Sequence, residues 1–139
     1  MEIILAENHG FCYGVKRAVE MADEAANSEG KSYTLGPIIH NPQVVGRLES
    51  KGVSPIQEVA DIDEGTMIIR SHGVGPAIYA EAEEKGLHIL DATCPHVKKA
   101  QQDAKSVIED GMTLVILGEK NHPEVKSINL WANNKGIII

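Results

Sequence analysis

Two cysteines, Cys12 and Cys94, and three histidines, His40, His72 and His122, each fall where a strand-like run hands over to a helix-like run. In an open α/β sheet such junctions lie at the carboxyl ends of the strands. Side chains there converge on one crevice, and the helices that follow aim partly positive N-termini into it. Thiolates are soft ligands that suit iron–sulfur or zinc, and a helix N-terminus suits an anion. The pattern predicts a metal or iron–sulfur centre beside a phosphate-bearing substrate.

Local context supports this for each residue. Cys94 directly precedes Pro95 at a helix start, where unpaired backbone N–H groups favour a thiolate ligand. Cys12 lies in the turn Gly10-Phe11-Cys12-Tyr13-Gly14, whose glycines let the backbone approach a bulky group. The competing assignment for either is an inert core or loop thiol. His40, His72 and His122 can donate hydrogen bonds to diphosphate oxygens and, when protonated, add charge to a site otherwise short of Lys and Arg. Gly73 and Gly75 free backbone N–H groups to help hold an anion. His9, His88 and His96 are expected to be structural, and so are the charged stretches Glu58 to Glu64 and Glu81 to Lys85. Trp131 is expected at a core or lobe interface.

The elements that must position these residues alternate along the chain. Glu2 to Ala6 predicts a buried strand, and Val15 to Asn27 predicts a helix with Val15, Ala18, Val19, Ala22 and Ala26 on one face. Ser32 to Leu35 predicts a strand. Asn41-Pro42 is a cap followed by an N1 proline, opening a helix that Gly52 stops. Thr66 to Arg70 predicts the next strand, and Pro76 opens a helix closed by Lys85-Gly86. Leu87 to Leu90 is read as a strand, Pro95 to about Asp110-Gly111 as a helix, Thr113 to Leu117 as a strand, and Pro123 as the opening of the last helix. This alternation predicts an α/β fold with mostly parallel sheets and right-handed crossovers. Leu35 to Val44 and Leu117 to Val125 echo each other as strand end, glycine, short loop, histidine and proline-started helix, which suggests two similar lobes facing one site. The first lobe is expected over residues 1–94 and the start of a second over 95–139. Gly136 to Ile139 is expected to be a buried strand, and because domains seldom end inside one, the chain is expected to be a piece of a longer protein.

Composition narrows the classes further. At 139 residues and 42% hydrophobic content the chain can build a core. Its net charge of -7, with no Lys/Arg cluster, argues against nucleic acid as a partner. No stretch approaches the roughly 18 apolar residues of a membrane span, and the N-terminus lacks a signal peptide's basic region, so a cytoplasmic protein is expected. Two cysteines in a reducing compartment are more readily ligands or core residues than a disulfide.

The motifs Gly10-Phe11-Cys12-Tyr13-Gly14-Val15, Gly36-Pro37-Ile38-Ile39-His40-Asn41, Arg70-Ser71-His72-Gly73-Val74, Asp91-Ala92-Thr93-Cys94-Pro95 and Asn121-His122-Pro123-Glu124-Val125 occur in order across the whole chain. Together they resemble the LytB/IspH family of 4-hydroxy-3-methylbut-2-enyl diphosphate reductases. The resemblance implies a three-lobed α/β enzyme of isoprenoid biosynthesis by the non-mevalonate pathway. It also implies reductive removal of an allylic hydroxyl to give isopentenyl and dimethylallyl diphosphate, with a [4Fe-4S] cluster held by three cysteines. It assigns Cys12 and Cys94 to two of those ligands, Glu124 to proton supply, and an external electron donor such as ferredoxin or flavodoxin as partner. With three thiolates, one iron keeps an open position that can act as a Lewis acid on a substrate oxygen. The third cysteine and further diphosphate-binding residues would lie outside this chain, which predicts an incomplete or absent cluster, no activity of the chain by itself, and self-association.

Two other classes remain open on sequence. A non-catalytic module could bind zinc through Cys12, Cys94 and histidines, although the short C-x₂-C spacing is missing. A metal-free anion-binding or nucleotide-binding module lacks both G-x-G-x-x-G and the Walker A lysine.

Overall fold

The computed structural model describes residues 1–7 and 9–139. Its elements run α1 (Tyr13–Ala26), β1 (Ser32–Leu35), α2 (Pro42–Ser50), β2 (Val53–Ile56), a 3-10 turn (Val59–Asp61), β3 (Thr66–Ile69), α3 (Pro76–Glu84), β4 (His88–Asp91), α4 (Pro95–Glu109), β5 (Val115–Ile116), α5 (Pro123–Trp131) and β6 (Ile137–Ile138). The first four strands form a sheet in the order β2-β1-β3-β4, and β5 pairs with β6 in a second. Every pairing is parallel. The expected α/β class with parallel sheets is what the chain adopts.

The larger sheet is covered on both faces, and period-two alternation in its strands shows how. Ile68 of β3 packs with Ala18, Val19, Ala22 and Leu48 from α1 and α2. Its neighbours Met67 and Ile69 point the other way, to Val59, Ala82 and Leu87 on the side of the 3-10 turn and α3. Met67, Ile68 and Ile69 are each 0% exposed, so each contributes about 1.5–3 kcal/mol by leaving water. A central parallel strand is therefore a continuous apolar run. Asn41 starts α2 as expected, its side chain accepting from Gln43 N–H and Val44 N–H at 3.1 Å each.

Three expectations need correction. Glu2 to Ala6 is not a buried strand. Ile3, Ile4 and Leu5 are 75%, 83% and 77% exposed, and the sheet edges β2 and β4 pair only inward, so the run has no ladder partner among the described residues. The Ile137–Ile138 strand forms, but Ile137 and Ile139 are exposed, because β5 and β6 have no further strand beside them among the described residues. The strand expected over Thr113 to Leu117 shortens to two residues for the same reason. Sequence also passed over β2. Its four residues include Pro55, which an edge strand tolerates because one side of its backbone needs no ladder bond.

The order β2-β1-β3-β4 places a topological switch between β1 and β3. The chain leaves β1 by α2 towards β2 and leaves β3 by α3 towards β4, in opposite directions. The loops after these two strands consequently diverge around a crevice. Those loops carry His40 and His72.

Candidate functional site

Backbone hydrogen bonds lace the carboxyl end of the sheet together. Ser71 N–H donates to Ile38 O at 3.2 Å and Cys94 N–H donates to Ser71 O at 2.9 Å, joining the loops after β1, β3 and β4. The Ser71 hydroxyl adds a second bond to Ile38 O at 3.2 Å. Residues 38, 71 and 94 are far apart in sequence, and the sheet brings them to one line.

On this frame the three sequence-selected histidines meet. The ring centroids of His40 and His72 are 4.4 Å apart, those of His72 and His122 5.6 Å, and those of His40 and His122 5.8 Å. One nitrogen from each lies within 4.8 Å of the others. His40 is exposed and the other two are half-buried, so the cluster opens to solvent at one side.

The protonation states follow from the surroundings. His72 is pushed down from 6.5 to about 4, first by burial and then by the nearby His40, Arg70 and His122. It is therefore neutral at pH 7. Its Nδ1 is buried with no hydrogen-bond partner. His122 caps α5, with Glu124 N–H donating to its Nδ1 at 3.2 Å. That bond uses the Nδ1 lone pair, so a neutral His122 carries its proton on Nε2 and presents a donor. Three close imidazoles would also suit a divalent cation. Ligation through Nε2 would move that proton to Nδ1 and set it against Glu124 N–H, so the local hydrogen bonding favours an anion over a metal here.

Arg70 is the residue that sequence reasoning missed. The site was expected to be short of Lys and Arg, yet the Arg70 side chain is half-buried beside Gly36, where a β-carbon would come within 2.7 Å of its Nη1. Gly36 has φ +69°, so both its backbone and its lack of a side chain belong to this arrangement. Burial lowers the Arg70 pKa from its ordinary value without neutralising so strong a base. The signal was present in the motif Arg70-Ser71-His72, but one arginine in isolation says nothing about burial.

The two cysteines head neighbouring helices. Cys12 is the N-cap residue of α1 and Cys94 that of α4, and neither thiol is spent as a cap. Both are free, Cys12 exposed and Cys94 half-buried. Gly14, in the first turn of α1, lies against Cys94: a β-carbon there would overlap Cys94 Sγ and come within 3.0 Å of its Cβ. Arg17, one turn on, donates to Thr93 O at 3.2 Å and Asp91 O at 3.4 Å. The α1 helix that carries Cys12 thus also clamps the turn that carries Cys94. Below the turn, Asp91 accepts from Thr93 N–H at 2.9 Å and from Tyr79 Oη at 3.0 Å, and pairs with Lys98 at 2.6 Å. Burial alone would raise the Asp91 pKa, but Lys98 and Thr93 outweigh it and hold the carboxyl below its usual range.

Glu124 sits in the first turn of α5, half-buried, joined to the cluster through its own N–H. Of the histidines expected to be structural, His9 Nδ1 lies 2.7 Å from Ala6 O, and His88 Nδ1 lies 3.3 Å from Thr66 Oγ1 on the sheet. His96 is exposed on α4. Trp131 donates from Nε1 to Val74 O at 2.9 Å, which pairs the polar end of a large apolar ring. Among the described residues no helix is long and apolar enough to cross a membrane.

Comparison with known proteins matches residues 3–139 to the family model described as LytB protein. A protein of Geotalea uraniireducens named 4-hydroxy-3-methylbut-2-enyl diphosphate reductase is 51% identical over 139 residues, covering 100% of this chain and 49% of its own length. One of the same name from Geobacter sulfurreducens is 54% identical over 132 residues, covering 95% of the chain and 47% of itself. Among solved structures, one of (E)-4-hydroxy-3-methyl-but-2-enyl diphosphate reductase superposes with a TM-score of 0.84 at 48% identity, over 99% of this chain and 50% of that one. The Plasmodium falciparum E-1-hydroxy-2-methyl-but-2-enyl-4-diphosphate reductase superposes with a TM-score of 0.91 at 32% identity, over 96% and 42%. The chain spans about half the length of the relatives it matches.

Proposed function

The chain belongs to the LytB family, and from that premise we propose that it forms one wall of a reductase site for 4-hydroxy-3-methylbut-2-enyl diphosphate. The observation that carries this reading is the meeting of His40, His72 and His122 at the carboxyl end of the sheet, with one nitrogen of each within 4.8 Å of the others. Residues 1–94 are taken as the first lobe and 95–139 as the start of a second, in keeping with the separate β5–β6 sheet.

Cys12 and Cys94 fit an iron–sulfur group. Both are uncommitted thiols at helix N-termini, and Gly14 leaves the Cys94 sulfur room that a side chain would fill. When bound, a [4Fe-4S] cluster would supply electrons and an open iron position, with a further ligand from outside this chain. A reducing, cytoplasmic setting would keep both cysteines as thiols.

The chain's own residues then have separate tasks. His122 offers Nε2–H to a diphosphate oxygen, its tautomer held by Glu124 N–H. Arg70 would supply positive charge near His72. A bound diphosphate favours the charged form of His72, reversing the effect of burial and adding a charge-assisted bond. Glu124, in the first turn of α5 beside His122, would deliver a proton to the departing hydroxyl. In each turnover the allylic C–O bond breaks, an electron pair arrives from an external donor such as ferredoxin or flavodoxin, a pair of protons is taken up, and water leaves with the product.

The test is anaerobic preparation of the full-length protein containing this chain. Brown protein with stoichiometric iron and sulfide, and conversion of the allylic diphosphate to isopentenyl and dimethylallyl diphosphate, is the expected result. A colourless protein containing zinc, or one that binds pyrophosphate without any metal, would replace this reading with a binding module.

A further inference from the structure

We propose that Ser127 and Gln101 are positioning residues that hold His72 in register with His122 and Cys94. This deepens the diphosphate reading and rests on it.

Gln101 on α4 and Ser127 on α5 are each only 2% exposed. Gln101 Nε2 donates to Ser127 Oγ at 2.7 Å, and Ser127 Oγ donates to His72 O at 2.9 Å. Gln101 lies two turns below Cys94 on α4. Ser127 lies on the helix capped by His122. A single buried chain of hydrogen bonds therefore joins the helix headed by one cysteine, the helix headed by one histidine, and the backbone of a second histidine.

Nothing about packing requires polar groups there. An amide and a hydroxyl removed from water cost free energy unless paired, and two apolar side chains could fill the same space. Hydrogen bonds add a fixed distance and direction, which apolar packing does not. The neighbouring residues show the same close fit. Gly73 has φ +71°, and a β-carbon there would overlap Gln101 Nε2 and lie 3.0 Å from Thr93 Cγ2 and 3.3 Å from Ser127 Oγ. One residue further, Val74 O accepts from Trp131 Nε1, one turn beyond Ser127 on α5. His72, Gly73 and Val74 are thus docked along α5, which fixes the backbone from which the His72 ring extends towards His122.

The probe is inorganic pyrophosphate, followed through the imidazole NMR signals of the 139-residue chain. Wild-type chain is expected to shift the signals of His40, His72 and His122. Ser127→Ala should weaken pyrophosphate binding about five-fold, the equivalent of one lost hydrogen bond, and Gln101→Leu, which spares the bond to His72, about two-fold. Both should weaken the ring-to-ring nuclear Overhauser effect between His72 and His122 measured without anion. Val53→Ala, buried in β2 away from the site, serves as the control: it should lower the melting temperature while leaving binding and the ring contact as in wild type. If Ser127→Ala and Gln101→Leu lower only the melting temperature, as the control does, the positioning role is overturned. If wild type ignores pyrophosphate, the diphosphate reading falls, and the His72–His122 ring contact still decides whether Ser127 orients His72. Should Ser127→Ala not fold, Gln101→Leu carries the same test.

Discussion

Gly14 and Cys94, eighty residues apart in sequence, touch so closely that the first has no room for a β-carbon beside the thiol of the second. The helix capped by one cysteine therefore rests on the other. Gly14→Ala must push α1 off the turn at Cys94 or force the thiol into another rotamer. Overpacking of this kind costs about 1–3 kcal/mol, and it should appear as a lowered urea midpoint in the chain and as reduced iron content in the full-length protein. An unchanged midpoint together with unchanged iron would show that the contact is loose.

If Cys12 and Cys94 are ligands, Cys12→Ser or Cys94→Ser in the full-length protein removes a thiolate, and serine is a poor substitute for a soft iron site. Stable cluster assembly is expected to fail in both. Iron and sulfide analysis after anaerobic purification is the check, and full occupancy in either variant would remove that residue from the ligand set.

Glu124 gives its backbone N–H to His122 Nδ1, and on the proposed reading its carboxyl has a separate task as proton source. Glu124→Gln keeps the N–H that fixes His122 and loses the proton source, so turnover in the full-length protein should fall strongly while the cluster spectrum and pyrophosphate affinity stay as they were. Nitrogen chemical shifts should report His122 as the Nε2–H tautomer in both proteins. Near-wild-type turnover would return the carboxylate to the role of a charge complementing the helix dipole.

His72 makes stability depend on pH in a defined direction. An unfolded histidine takes up its proton near 6.5, whereas the folded one resists until about 4. Between those values the unfolded state binds more protons, so the contribution is complete above 6.5 and is lost as the pH falls towards 4. Urea titrations across this range should show the decline, His72→Asn should flatten it, and pyrophosphate should lessen it by stabilising the imidazolium. A decline that persists in His72→Asn would point to other groups.

Much of this was legible in the sequence because it depended on local signals. Proline at N1 marked the starts of α2, α3, α4 and α5 to the residue, and Cys94 and His122 cap two of these, whereas α1 has no such signal and begins at Tyr13, two residues before the expected Val15. Alternation of strand and helix then sent the junctions to one end of a parallel sheet, which is why His40, His72 and His122 could be grouped before any distance was known. What could not be read were features set by neighbours far along the chain. Glu2 to Ala6 has the composition of a strand, but composition cannot supply the strand it must pair with. Pro55 concealed β2, because whether a proline is tolerated depends on which strand becomes the edge. Arg70 lies in a recognised motif, yet its half-buried position beside Gly36 depends on a contact between residues far apart in sequence.

Exposed apolar residues add a last expectation. Ile3, Ile4, Leu5, Leu117, Ile137 and Ile139 are each exposed, and apolar surface left in water favours association. The 139-residue chain should self-associate and hold no complete cluster. Sedimentation and iron analysis on anaerobic samples would show this, and a monomer carrying a full cluster would contradict it.

The hydrogen bonds that run from Ile38 to Ser71 to Cys94 also make the position of Cys94 depend on strands far apart in the chain. Before β1, β3 and β4 align there is no row of loop tips, and the two thiols are merely distant points on a mobile chain. Iron and sulfide offered to a nascent polypeptide would meet scattered donors and no cradle. If the two cysteines are ligands, assembly would then follow the alignment of the sheet, and whatever delivers the inorganic part would meet a finished rim and not a linear stretch of sequence.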